Sequence, residues 1–96
     1  YTEYLKRRIL VHMRDRSQHE ISMNQRDFSA LLLSYPWFCD CIKGVLVNLE
    51  DVDKLLEDRF LMKSGASIPI SRLKYRDVRE QYIQYSYHLV RGGPHL

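Results

Sequence analysis

The chain has 96 residues, 45% of them apolar and 28% charged, and a formal net charge of +3. That length makes one domain with one modest core. It excludes a membrane-spanning helix, because no apolar run approaches the ~18 residues such a span requires, and the start carries no secretory-signal pattern.

The predicted elements follow in chain order. Residues 6–14 read as a strand, with Ile9, Val11 and Met13 alternating against Leu10, His12 and Arg14. The polar residues 15–18 make a turn, and residues 19–23, with Ile21 and Met23 on one face, make the partner strand of a hairpin. Asn24 has the chemistry of a helix cap, and Asp27 three positions on resembles a capping box. Phe28, Leu31, Leu32 and Tyr35 then form one apolar helical face. Pro36 ends that helix, because the residue before a proline is pushed out of α geometry.

Residues 37–42 are short and apolar, as in a strand; Lys43-Gly44 breaks them, and residues 45–49 form a second, β-branched run. Between Leu46 and Met62 two patterns compete. Leu49, Val52, Leu55, Leu56 and Phe60 fit a helical stripe, and the local composition prefers helix. Ser64-Gly65 reads as a hairpin turn, since glycine supplies positive φ at little cost. Pro69 cannot donate to a ladder, so the strand 67–71 belongs at a sheet edge. Tyr75, Val78, Tyr82, Tyr85 and Leu89 step by three and four along a final helix. Gly92-Gly93-Pro94 stops it, and residues 94–96 form a disordered tail.

The charges are segregated. Lys6, Arg7, Arg8, Arg14 and Arg16 fall near the start, and Arg72, Lys74, Arg76 and Arg79 near the end. Glu50, Asp51, Asp53, Glu57 and Asp58 lie between them. Two basic segments that meet in space would form a patch suited to phosphates; apart, they are a solvated mixed-charge surface.

Three pieces of the sequence carry a resemblance. They are F-C-D-C-I-K-G over residues 38–44, V-L-V-N-L over 45–49 and K-S-G-A-S-I-P-I-S-R over 63–72. Together, at this separation, they resemble the LytTR family of bacterial DNA-binding domains. The family pattern is an aromatic pair, Arg-x-His-Arg-Ser, then Val-Asn-Leu, a glycine hairpin and Ile-Pro-Val-Ser-Arg before a last helix. The resemblance covers nearly the whole chain and implies a mainly β fold with two helices (α+β). That fold is elongated and antiparallel, with a mid-chain helix and a C-terminal helix, occupying residues 1–93. It also implies two strands, 52–56 and 59–63, in place of the competing helix.

The same resemblance implies three DNA contacts made by loops in the major groove. Arg7 and Arg8, beside Lys6, answer the first; Ile42 and Lys43 the second; Ser71 and Arg72, followed by Lys74 and Arg76, the third. Arginine suits these places, because its fork can bond guanine O6 and N7 or a phosphate. The middle contact departs from the family. Asp40 stands where Arg is usual, Ile42 replaces His, Lys43 replaces Arg and Gly44 replaces Ser. Ile42 cannot hydrogen-bond a base but can touch a thymine methyl. Either this chain reads a different site or its DNA binding has weakened.

Other residues have blander readings. Asn48 is expected to cap a turn. Cys39 and Cys41 stand too close for a disulfide of acceptable geometry. With His12 and His19 they could hold zinc, but one intervening residue is short of the usual ligand spacing, and buried free thiols are common. As nucleophiles they lack a Cys-His-Asp framework. Tyr75, Tyr82 and Tyr85 could stack bases, though their spacing fits core packing. His88, His95 and Tyr87 are expected at the surface.

The resemblance thus implies a sequence-specific double-stranded DNA-binding domain, the cytoplasmic output domain of a bacterial two-component-type response regulator. Its expected partners are direct-repeat promoter DNA, a second copy on that DNA, and a receiver or sensor domain in a longer protein of which this chain is read as part. No enzyme activity, cofactor, metal or small-molecule substrate is expected. The alternative is a protein-interaction or dimerisation module that keeps the fold with weak or no DNA affinity.

Overall fold

A computed structural model describes residues 1–92. Eight strands and two α-helices follow the order β1 (Thr2–Leu5), β2 (Arg8–His12), β3 (Gln18–Ile21), α1 (Gln25–Leu33), β4 (Phe38–Ile42), β5 (Val45–Asn48), β6 (Val52–Leu55), β7 (Arg59–Met62), β8 (Ser67–Pro69) and α2 (Tyr75–Gly92). The fold is α+β, mainly antiparallel strands with a mid-chain and a C-terminal helix. One sheet has five strands in the order β3-β2-β1-β5-β4; the other has three, β6-β7-β8.

Local chemistry accounts for most of these boundaries. The Asn24 side chain accepts from the Arg26 amide at 2.7 Å and starts α1. Asn48 does the same for Glu50 at 2.9 Å, opening a single 3₁₀ turn, Leu49–Asp51. The helical propensity of this region is spent in that one turn. Beyond it, pairing wins over propensity: Val52 faces Met62 and Phe60 faces Ile68. Gly65 takes φ +96° in the β7–β8 turn. Pro69 lies in β8, an edge strand, opposite Arg59.

Each face of the larger sheet has its own cover. Cys39, Cys41 and Val47 project into the main core with Leu49, Val52, Phe60, Met62, Ile68, Ile70 and Val78. That core therefore joins β4 and β5 to the smaller sheet and to α2. Phe60 is fully buried and its ring meets Tyr82 at 5.8 Å. Tyr75, Tyr82 and Tyr85 pack on this core as partly buried side chains. On the opposite face α1 packs against β4, and its Phe28 and Leu32 line a pocket together with Thr2, Val11 and Phe38.

Four expectations need correction. Residues 6–14 are not one strand: Lys6 and Arg7 form a tight turn between β1 and β2, with φ +46° and +68°. The partner strand stops at Ile21 and β8 stops at Pro69, each two residues early. The apolar face of α1 is only half used, because Leu31 and Tyr35 are exposed while Phe28 alone in the helix is buried. A nine-residue helix on a sheet covers only a narrow stripe. The side chain of Leu89, together with Gly93, Pro94, His95 and the tail 94–96, lies outside the described residues. Among the described residues no helix is long and apolar enough to cross a membrane.

Candidate nucleic-acid interface

Strand register decides which turns share an end. β1 runs from Thr2 to Leu5 and pairs antiparallel with β2 through Leu5 and Arg8, so the Lys6–Arg7 turn closes one end of the larger sheet. β1 also pairs with β5, Glu3 facing Val45, and the Tyr4 amide donates to the Gly44 carbonyl at 2.8 Å. The Lys43-Gly44 turn therefore lies at that same end. The Ser71 amide donates to the Cys41 carbonyl at 2.8 Å, which fastens the start of the β8–α2 junction to β4 just before Ile42 and Lys43. Three segments far apart in sequence, around residues 6–8, 42–43 and 71–74, come to one end of the molecule.

The state of their charges differs residue by residue. Arg8 pairs with Glu20 at 3.1 Å, both largely exposed. Lys74 reaches Asp40 at 2.9 Å. The Asp40 carboxylate thus faces a cation instead of standing alone. Lys6, Arg7, Lys43, Arg72 and Arg76 are exposed, and none has an ion-pair partner among the described residues. Ile42 is half-buried beside the core and Ser71 is half-buried. The end is not uniformly basic. The Ile70 amide donates to the Asp58 carbonyl, so the acidic turn 56–58 lies close by, with Asp58 held by Arg59 at 2.9 Å.

Arg14 and Arg16 do not join this group. Their turn lies at the far end of β2. There Arg14 Nε donates to Asp51 at 2.8 Å, and Arg16 Nε donates to the Ser64 carbonyl at 3.1 Å. They tie the first hairpin to the 3₁₀ turn and the β7–β8 turn.

The local structure of the basic end explains its shape. Two-residue turns with both φ values positive match the twist of a hairpin, and normally take Asn-Gly. Here lysine and arginine occupy both positions. At the β4–β5 turn Gly44 takes φ +81°. A β-bulge between Asp40 and Ile42 precedes it and re-aims the end of β4.

The remaining candidates have structural roles. Asn48 caps the 3₁₀ turn, as expected. Cys39 and Cys41 are fully buried and unlinked. Burial pushes the Cys39 thiol up to about 12 and the Cys41 thiol up to about 11, so both stay protonated at neutral pH. His12 stacks on Tyr1 with ring centroids 4.3 Å apart and bonds Glu3 at 2.8 Å, while His19 is exposed on β3. Among the described residues no three His, Cys, Asp or Glu side chains gather as a metal site. His88 and Tyr87 are exposed on α2.

Sequence reasoning missed two residues at the basic end. Arg26 lies exposed in the first turn of α1, whose Gln25 and Ser29 line a pocket together with Lys43 and Gly44. Leu73, between Arg72 and Lys74, is 95% exposed. An apolar residue inside a basic turn was the only available signal for the latter. Comparisons with protein-family models, with curated proteins and with solved structures give no match.

Proposed function

We propose that this chain is a sequence-specific double-stranded DNA-binding domain of the LytTR type, the output domain of a bacterial transcription regulator. One observation carries the reading. The three places to which the resemblance assigns DNA contacts, separated by some thirty residues each, are brought to a single end by register and by the Ser71–Cys41 hydrogen bond. At that end Lys6, Arg7, Lys43 and Arg72 have no intramolecular partner among the described residues, so their charge is available to phosphates. Arg72 reads a base, Lys43 holds a phosphate as a point charge, and the Lys6–Arg7 turn supplies two cations from one hairpin tip.

The test is binding to duplex DNA across a range of salt concentrations. With ~4 to 6 phosphates neutralised, log K falls against log salt with a slope of about −4 to −5. Arg72→Ala costs ~1–3 kcal/mol on a selected site and relaxes preference at one base pair, whereas Lys43→Ala weakens all sequences alike. A flat salt response, with both variants silent, removes the reading.

A second reading has its own observation. From Phe28 to Phe38 the chain carries no charged residue, yet Leu31, Leu33, Tyr35 and Trp37 are exposed there. Aromatic, charge-depleted surface is typical of the centre of protein interfaces. A protein-interaction or dimerisation module would use this face, and it would associate with concentration whatever the salt.

A further inference from the structure

Each of the three basic turns carries an aliphatic side chain beside its cations. Leu73 lies between Arg72 and Lys74 and is 95% exposed, the highest value among the large exposed apolar residues. Leu5, 48% exposed, precedes Lys6 and Arg7. Ile42, half-buried, precedes Lys43. Leu73 contributes nothing to the core. Turns ordinarily take polar residues or glycine, whose side chains satisfy the backbone or whose φ is free, and leucine does neither. The turn that presents it is held firmly, however. The Ser71 amide bonds Cys41, the Lys74 amide bonds the Ser71 carbonyl at 3.0 Å, and the Lys74 ammonium bonds Asp40 at 2.9 Å. An apolar side chain displayed on a fixed turn is pre-organised for a partner.

We propose that Leu73 is a specificity residue that contacts the 5-methyl group of a thymine in the major groove, with Ile42 and Leu5 offering the same contact at the neighbouring turns. This deepens the DNA-binding reading and rests on it. Thymine is the base that presents a methyl group in the major groove. The flanking cation Arg72 holds the backbone or a base edge and sets the register, and the aliphatic group beside it then discriminates. The recognised site is therefore thymine-rich where these turns touch it. Aliphatic groups among cations also suit an anionic bilayer surface. The acidic turn 56–58 at the same end opposes approach to a planar anionic surface, while a groove can be entered by each turn separately.

The test uses two pools of random-sequence duplexes, one made with thymine and one with uracil, which pairs identically but lacks the methyl. Sequences are selected from the thymine pool with the whole chain. The winners are then re-measured in both forms with the wild type and with Leu73→Ala, a change at an exposed position that leaves folding intact. The wild type is expected to lose about fourfold in affinity for each contacted methyl removed. Leu73→Ala is expected to lose about fourfold on the thymine form, the share of one methyl contact, and to show a difference between the two forms smaller by that factor. Equal wild-type binding to both forms overturns the inference and leaves DNA binding standing. No binding to either pool overturns both. Leu73-dependent binding to phosphatidylserine vesicles without duplex binding replaces both with a membrane-surface role.

Discussion

β2 ends in two basic turns that behave in opposite ways. At its start Lys6 and Arg7 occupy a hairpin turn; at its end Arg14 and Arg16 occupy another. Both turns place an ordinary side chain at positive φ, Lys6 and Arg7 in one and Arg16 in the other. In the second turn the guanidinium groups are engaged by Asp51 and Ser64, and these bonds tie two parts of the fold together. In the first turn no such partner exists among the described residues. Residue counts treat the four cations as equal; the register separates two that hold the molecule together from two that face outward. Strain kept without an internal reason is where function is to be sought.

The largest effect should come from removing the outward charges. The combined variant Lys6→Ala, Arg7→Ala, Lys43→Ala, Arg72→Ala should lose about a thousandfold in duplex affinity near physiological salt, since each contact releases about one counterion. Its salt slope should flatten by about 3 to 4. Arg14→Ala with Arg16→Ala should leave affinity within about twofold. Titration of one duplex against both variants at several salt concentrations checks this. Equal losses from both would erase the distinction between the two turns.

A second difference lies beneath the surface. The basic end is anchored through the Cys41 carbonyl, on a strand whose two thiols are buried and neutral. Their folded values lie above the ordinary 9, at about 12 and about 11. Below pH 9 both states keep the protons and nothing is lost. Above 9 the unfolded chain releases them first, so stability falls as pH rises toward the folded values. The slope is about 1.4 kcal/mol per pH unit for each thiol that titrates. Denaturant melts at neutral pH and at steps above 9 should show the decline, and a chain with Cys39→Ala and Cys41→Ala should lose the part of it that sets in at 9, keeping only what the tyrosines Tyr1 and Tyr85, also raised by burial, add above 10. At neutral pH a thiol reagent should label neither cysteine until the chain unfolds.

Backbone strain offers a cleaner separation of the two turns. Replacing Lys6-Arg7 by Asn-Gly relieves positive φ at two positions and should stabilise the fold by about 1–2 kcal/mol. It should also weaken duplex binding by roughly tenfold, because two phosphate contacts disappear. Arg16→Gly should stabilise by about 1 kcal/mol or less, since an exposed bond to Ser64 is lost with the strain, and should not affect binding. Stability gained with affinity lost in one turn only would mark that turn as the functional one.

Much of the architecture was legible because local chemistry and tertiary demand agreed. Asn24, Asn48, Ser64-Gly65 and Pro69 each announce one backbone role, and each performs it. The strands β6 and β7 were legible only through a resemblance to another family's pattern, since their own composition favours helix and the pairing with β8 overrides it. The Lys6–Arg7 turn was hidden because it lacks the Gly or Asn that signals such turns, and the alternation of β2 simply ran backward through it. Nor could spacing show that α1 would bury Phe28 and leave Leu31 and Tyr35 outside. The grouping of residues 6–8, 42–43 and 71–74 is a matter of register, and the separation of Arg14 and Arg16 from them is too.

The smallest expected effect concerns Asp40, which gives one cation of the basic end the character of the opposite end. Its carboxylate takes Lys74 at 2.9 Å, both side chains being about half exposed. An exposed pair of this kind contributes little to stability, so breaking it should shift the melting midpoint hardly at all. Its effect on binding has a definite sign. The pair is neutral, and it stands beside Lys43 and Arg72, so it withholds one cation from the basic end. Asp40→Asn keeps the side-chain shape and frees Lys74. Duplex affinity should rise about two- to fivefold at low salt, and the salt slope should steepen by about 1 as one more phosphate is neutralised. Lys74→Ala in the Asp40→Asn background should cancel most of the gain, and Lys74→Ala alone should weaken binding at low salt, because it leaves the Asp40 carboxylate uncompensated. If instead Asp40→Asn weakens binding, the bridge serves to fix the spacing between the turn at Lys43 and the turn at Arg72. The basic end would then resemble its counterpart, holding its own geometry by ion pairs.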